Sequence, residues 1–370
     1  MDNILMRRFE VMKGKSSRLS MILIGALLVS VLMVSPFMLA FAAEKPIVIK
    51  YSDHDPPGGL RTDFVKEVWL NEIEKQTNGR VKIRDYWGGA LLTAPEALKG
   101  IGDGVTQMGF IYPDFFPKRL VSFQIFKLFP RAPSKWENIS WIYRIVYDQI
   151  PAFKAEFEEK WNQKLLLVTS ALPGAFCSSK PITSIDDLKG NKWRCSSRWQ
   201  LEMLKNVGAI PVSVPWADCY MALQTGTIDG VFTNYDGINM MRFDEVAPNI
   251  LIGEQLWWAS PFMHTVNLDF WNSLPEDIQE GILKATRIAE EAFGKPFSAK
   301  LDQIVAAEKK IGCKVTFMSD EDVEKWENKP KLEKLQEKWV KEAKAEGLEN
   351  AAWIMERMKM IIQEGIEREQ

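Results

Sequence analysis

Apolar positions along the chain switch between a period of two and a helical period. Ile47-Val48-Ile49-Lys50-Tyr51 and residues 81–87 read as strands; between them Phe64, Val65, Val68, Trp69 and Ile73 recur at helical spacing across residues 62–76. Asp53-His54-Asp55-Pro56-Pro57-Gly58 is a turn at the carboxyl end of the first strand. Thr93 and Glu96 have capping-box spacing for a short helix, and residues 107–111 give a third strand. This alternation predicts an α/β fold with parallel strands and crossover helices. Residues 136–161 read as helix and 165–169 as a buried strand crossing toward a second lobe. Residues 255–258 and 264–268 look like strands. Residues 275–312 read as a helix broken at Phe293-Gly294-Lys295-Pro296, and 320–370 as an amphipathic helix interrupted near Gly347. That last segment either packs on a lobe or forms a dimer contact.

Candidate chemistry concentrates in residues 186–246. Lys192-Trp193-Arg194-Cys195 is a β-prone run; Ser196 and Ser197 are N-cap candidates for a helix carrying Trp199, Met203, Leu204 and Val207, closed by Gly208. Arg194 at a strand end thus faces a helix N-terminus. Both favour an anion, and a guanidinium can grip a carboxylate with two parallel hydrogen bonds. The alternative is a surface arginine paired with Asp186 or Asp187. The opposite wall comes from Trp216, Tyr220 and Leu223 on one helix face and from a strand at 228–232, with Thr233, Asn234 and Tyr235 at its carboxyl end, where open α/β sheets bind ligands. Trp216 and Tyr235 serve either as core or as ligand contacts. His54 is either a ligand contact or an exposed loop histidine.

Several of these stretches resemble one family. Leu188-Lys189-Gly190 through Arg194, Ala222-Leu223-Gln224-Thr225-Gly226, Asp229-Gly230 and Phe243-x-Glu245-Val246 are similar to the solute-binding subunit of tripartite ATP-independent periplasmic (TRAP) transporters of the DctP type. So are Thr77-Asn78-Gly79-Arg80-Val81, Gly88-Gly89-Ala90-Leu91, Lys180-Pro181-Ile182 and Trp271-x-x-Leu274-Pro275. The resemblance implies a two-lobed periplasmic binding protein fold, each lobe a sheet flanked by helices, joined by crossing strands and a long kinked helix. It also implies capture of a small organic acid by lobe closure and delivery to membrane permease subunits. Arg194 matches the arginine that pairs with the substrate carboxylate in the family. Where many members carry a second arginine this chain reads Pro173-Gly174-Ala175-Phe176, and the family's Glu-Asn-Pro is replaced by Phe232-Thr233-Asn234. The expected ligand contacts are therefore Arg194, Asn234, Thr233, Trp216, Tyr235, Phe176 and His54, with a less polar acid favoured over a C4 dicarboxylate. Hinges are expected near residues 168–172, 258–261 and 294–296.

The amino-terminal residues change the picture of location. Residues 1–18 carry five basic and two acidic side chains ahead of an apolar run at 19–41, and Ala40-Phe41-Ala42 has the small-x-small pattern of a signal-peptidase site. A periplasmic protein with residues 1–42 as signal peptide is expected; an uncleaved anchor is the competing reading. The remaining 328 residues hold 42 basic and 47 acidic side chains, a net charge of −5, which gives no basic patch for nucleic acid. That length predicts two lobes, assigned to residues 43–171 with 260–299 and to 172–259 with 300–370. Cys177, Cys195, Cys219 and Cys313 could hold a bridge between Cys177 and Cys195 or stay as buried thiols. Two histidines and no CxxC make a zinc site unexpected, and no cofactor is implied. An enzyme is disfavoured for want of a nucleophile elbow, H-E-x-x-H or phosphate loop. A ligand-sensing ectodomain is the other alternative, and a monomer is expected.

Overall fold

A computed structural model describes residues 45–369. The expected signal peptide, residues 1–42, lies outside them. Eleven strands follow in chain order: β1 (Ile47–Ser52), β2 (Val81–Tyr86), β3 (Met108–Ile111), β4 (Gln163–Thr169), β5 (Gly174–Ser178), β6 (Lys192–Arg194), β7 (Ile210–Val212), β8 (Gly230–Asn234), β9 (Asn249–Ile252), β10 (Phe262–Asn267) and β11 (Lys314–Phe317). They form two sheets, ordered β2-β1-β3-β10-β4 and β11-β9-β5-β8-β6-β7.

Each sheet is mixed. In the first, β1 runs parallel to β2 and β3, while β10 is antiparallel to β3 and β4. In the second, β6 runs parallel to β7 and β8, β11 parallel to β9, and β5 antiparallel to both β8 and β9. The chain passes between sheets three times: from β4 to β5, from β9 to β10, and through the helix Glu276–Lys310 to β11. Those crossings give the two-lobed α/β architecture expected from length and alternation.

Local sequence accounts for most elements. Thr93 and Glu96 close a capping box at the helix Ala94–Gly102, with the Thr93 amide donating to Glu96 Oε2 at 3.0 Å. Ser197 caps the helix Arg198–Asn206, its Oγ accepting the Trp199 amide at 3.2 Å. Gly230 sits in β8 under the indole of Trp193 from the neighbouring strand; a Cβ there would come within 2.4 Å of that ring. Only glycine admits so close an approach.

Two expectations need correction. Residues 255–258 form no strand; Leu256 makes a lone bridge to Arg131 in an irregular segment. The helix Glu276–Lys310 runs unbroken through Pro296. Phe293 edge-on and Phe297 tilted against the Trp136 ring pack this stretch, and Gly294 lies so near Trp136 that a Cβ would be 3.2 Å from its ring. The glycine is a packing site rather than a break. All four cysteines are buried and free, which settles the two alternatives in favour of buried thiols.

The carboxyl-terminal segment comprises three helices, Asp320–Glu327, Lys329–Ala345 and Ala351–Glu367. The last packs along the helix Trp136–Gln149, and Gln336 Nε2 donates to the Leu128 carbonyl at 3.0 Å. Its apolar stripe, Ile354, Met355, Met358 and Ile362, is buried within the chain itself. Among the described residues no helix is long and apolar enough to cross a membrane, and no cluster of three metal-ligating side chains occurs.

Candidate functional site

Strand ends from both sheets converge on one cavity lined by residues of both. The first-sheet wall starts at the turn after β1. Asp53 and Asp55 are buried there, and Arg61, in the first turn of the helix that follows, lies 3% exposed between them. Its Nη1 donates to Asp53 Oδ2 at 2.5 Å and its Nη2 to Asp55 Oδ2 at 2.7 Å, with the guanidinium 3.6 Å over the Phe110 ring. Burial raises the Asp55 carboxyl, but the charges of His54 and Arg61 outweigh it and leave its pKa below the usual value. Arg61 is therefore a cation already compensated twice.

Below this lies a hydrogen-bonded floor. Tyr51 Oη donates to Asp53 Oδ2 at 2.9 Å and sits 2.9 Å from His264 Nδ1. With its one proton committed to Asp53, the tyrosine oxygen must accept, so Nδ1 carries the imidazole proton and Nε2 is left to accept from Thr169 Oγ1 at 3.3 Å. Burial and then the Arg61 charge push His264 down to about 3, which keeps it neutral. Nearer the crossings, Asp114 takes hydrogen bonds from Tyr112 Oη at 2.7 Å and Ser260 Oγ at 2.5 Å. Lys127 pairs with it at 3.5 Å; burial lowers this ammonium to about 8.

The second-sheet wall is built differently. Arg194 ends β6 and is 2% exposed. Its Nε donates to the Val214 carbonyl at 3.0 Å and its guanidinium lies 5.3 Å from the Trp216 ring centre. Nη1 is buried without a hydrogen-bond partner, and among the described residues no carboxylate pairs with Arg194. Thr233 Oγ1 donates to Asn234 Oδ1 at 3.1 Å, and Asn234 Nδ2 to Asp236 Oδ1 at 2.9 Å. Asp236, buried without an ion pair among the described residues, also accepts the Leu172 amide at 2.9 Å. Burial raises its pKa despite these bonds.

Of the expected contacts, His54, Arg194, Trp216, Thr233 and Asn234 line this cavity. His54 stacks on Phe110 and is not the exposed loop histidine of the alternative reading; its Nδ1 is buried and unpartnered. Tyr235 and Phe176 do not line it. Tyr235 turns away at the start of the helix Tyr235–Met240 and donates to Glu308 at 2.5 Å. Phe176 lies inside the second lobe, stacked on Phe232 with ring centres 4.3 Å apart. The sequence reading missed Arg61, because it began the helix at residue 62 where the structure begins it at Leu60, and Asp236. A charged Asp-x-Asp at a strand end, followed by an arginine opening an apolar helix, was the signal available for Arg61.

Walls from the two sheets touch. Trp216 Nε1 donates to Asp55 Oδ1 at 3.1 Å, and Ser196 Oγ stands 3.5 Å from Asp114 Oδ2. Gly59 permits a third approach, since a Cβ there would fall 2.7 Å from Met240 Sδ.

Comparison with known proteins decides the family. Residues 54–344 match the model for bacterial extracellular solute-binding protein, family 7, the DctP family. The chain belongs to this family. A solute-binding protein of Albidiferax ferrireducens is 28% identical over 303 residues, covering 79% of this chain and 86% of that one. The C4-dicarboxylate-binding periplasmic protein DctP of Rhodobacter capsulatus is 27% identical over 271 residues, 71% of this chain and 76% of its own length. A TRAP periplasmic solute-binding protein from Desulfovibrio salexigens, solved as an open complex, is 25% identical with a TM-score of 0.68 over 85% of this chain and 95% of that one. DctP-family proteins are extracytoplasmic binding components of TRAP transporters, not enzymes.

Proposed function

We propose that this TRAP solute-binding protein holds a small organic acid by its carboxylate on Arg194. The carrying observation is a guanidinium 2% exposed, lining a cavity between two sheets, with Nη1 unpartnered. A buried cation left so is costly, and a bidentate anion removes the cost. Trp216, Thr233, Asn234 and His54 complete the contacts.

The second side of the ligand is largely apolar. Phe110, Phe262 and Trp258 join Trp216 around the cavity. The other lining arginine, Arg61, is spent on Asp53 and Asp55. A second carboxylate thus finds no free cation, which favours a ring-bearing or branched monocarboxylate over a C4 dicarboxylate. Family members bind varied acids: a marine-metagenome protein specific for aromatic acids was solved with 3-hydroxybenzoate, others with pyroglutamate or malonate. Thermal-shift screening against those acids, branched keto acids and succinate tests the reading. A succinate or malate shift larger than all others overturns the monocarboxylate preference.

Closure follows from a site shared between lobes. Residues 168–172 and 258–261 at the crossings, with the long helix, carry the hinge, and membrane permease subunits read the closed shape. A signal peptide cleaved near Ala42 exports the chain, which acts as a monomer.

A further inference from the structure

We propose that Ala259 is a positioning residue for binding: its backbone is strained while the two walls touch, and release of that strain on opening sets ligand affinity from outside the ligand contacts. The inference rests on the closure reading above. Among the described residues the non-glycine residues at positive φ are Asn78, Asn162, Arg242, Ala259 and Asn328. Ala259, at φ 25° and 3% exposed, is the one of them that is buried and the one that lies on a crossing between the sheets. Asparagine enters this region readily, because its short polar side chain bonds the local backbone. Alanine has no such help, and its Cβ crowds the neighbouring carbonyl oxygen.

Groups from both sheets pull on the turn around it. Trp257 Nε1 donates to the Phe129 carbonyl at 2.5 Å and Ser260 Oγ to Asp114 Oδ1 at 2.5 Å, which ties both flanks to the first sheet's side. Lys127 Nζ donates to the Trp258 carbonyl at 3.3 Å and sits 3.5 Å over its ring. Lys127 and Asp114 pair with each other, both side chains fully buried, so this clamp cannot drift into solvent. Between those flanks the Trp258 ring meets Phe232 of β8 in the second sheet, with ring centres 5.7 Å apart. One residue of the turn is thus held toward the second sheet while its neighbours stay with the first, and Ala259 takes up the difference. Backbone strain persists only where the surroundings over-determine it. Here they do so while Trp216 reaches Asp55 and Ser196 lies beside Asp114; opening withdraws Phe232 and lets the turn relax. Trp258 lines the cavity and Ala259 does not, so strain at 259 reaches the ligand only through the position of the lobes.

Ala259→Gly removes the Cβ penalty and leaves every ligand contact in place. Calorimetry on the intact protein uses 3-hydroxybenzoate, pyroglutamate, malonate and succinate as probes. Each acid that binds wild type should bind the variant about five- to thirtyfold more tightly, the equivalent of the roughly 1–2 kcal/mol that a left-handed alanine costs. The factor should be the same for all of them, and the ligand-free melting point should not rise. A higher melting point with unchanged affinities places the strain in both forms and overturns the inference, as does a factor that differs from acid to acid. Where none of the four binds, spin labels on Glu67→Cys and Met221→Cys decide, both positions being exposed and the native cysteines buried. The ligand-free Ala259→Gly protein should then show a larger short-distance population, and an equal one overturns the inference. Small-angle scattering keeps the closure reading separate: an acid that binds without compacting wild type overturns closure, whereas compaction with unchanged affinity in Ala259→Gly overturns the strain alone.

Discussion

Removing Arg194 separates a ligand contact from a structural one. In the free protein its Nη1 has no partner and its one hydrogen bond goes from Nε to Val214. Arg194→Ala therefore gives up one backbone contact and a loose stack on Trp216, while relieving a buried, incompletely solvated cation. Those effects oppose each other, and the ligand-free stability should change by less than about 1 kcal/mol. In the complex the balance differs. Truncation leaves a desolvated ligand carboxylate without its cation, which costs about 2–5 kcal/mol, roughly thirty- to several-thousandfold in affinity. Arg194→Lys should recover little, because an ammonium lacks the planar fork.

Two measurements on one variant give the answer. Ligand at a hundred times its dissociation constant adds about 2.7 kcal/mol to wild-type stability, a rise of roughly 4 °C in a chain this long. Arg194→Ala should melt within a degree or two of wild type when empty and show no rise at the same ligand concentration. Calorimetric affinity equal to wild type would refute the reasoning outright. A ligand-free melting point that falls by as much as the affinity loss would also refute it, since the arginine would then be holding the fold.

Three further perturbations probe the surroundings. Trp216→Phe keeps the ring but removes the donor to Asp55, so affinity should fall about two- to tenfold with ligand-free stability unchanged; small-angle scattering that finds the same closed fraction at saturation speaks against a closing role. Arg61→Met strands Asp53 and Asp55 in the interior and should cost about 3–5 kcal/mol in urea unfolding; a loss below 1 kcal/mol contradicts the buried-triad account. Burial raises Glu308 to about 7 against an ordinary 4.5, so the folded state keeps a proton that the unfolded state releases, and stability falls as pH rises between those values. Glu308→Gln should thus be more stable than wild type by about 2–3 kcal/mol at pH 8 and by less than about 1 at pH 5. A gain independent of pH would show that ionisation is not the cause.

What could be read from the chain alone was what short-range chemistry controls. The Ser197 cap, the Thr93–Glu96 box and Arg194 at the end of β6 depend on neighbours a few residues away, and each stands where local pattern put it. Tyr235 and Phe176 were misplaced for the opposite reason. Every residue of β5 and β8 is buried, so no polar alternation marks which side of the sheet faces the cavity. Asp236 looked like a first-turn acidic residue, and only the Leu172 amide, 64 positions away, draws it into the site. Pro296 suggested a break because the packing of Trp136 against Phe293 and Phe297 cannot be inferred from spacing.

The unequal treatment of charge in the two lobes bears on how closure can be ligand-dependent. The first lobe satisfies its cation internally, Arg61 on Asp53 and Asp55, and so presents a finished wall whether or not ligand is present. The second lobe leaves Arg194 Nη1 without a partner. Direct contacts across the cleft are Trp216 to Asp55, the Ser196 hydroxyl 3.4 Å from Tyr112 Oη and 3.5 Å from Asp114 Oδ2, and the close approach of Gly59 to Met240. Hydrogen bonds of this kind contribute about 0.5–1.5 kcal/mol each, because water replaces them on opening. A ligand that meets the second lobe's unpartnered Arg194 while touching the first lobe's aromatic wall adds about 2.7 kcal/mol for each hundredfold preference it has for the closed form. That increment exceeds any one of these cross-cleft bonds, and it places control of the shape with the ligand rather than with the protein's own contacts.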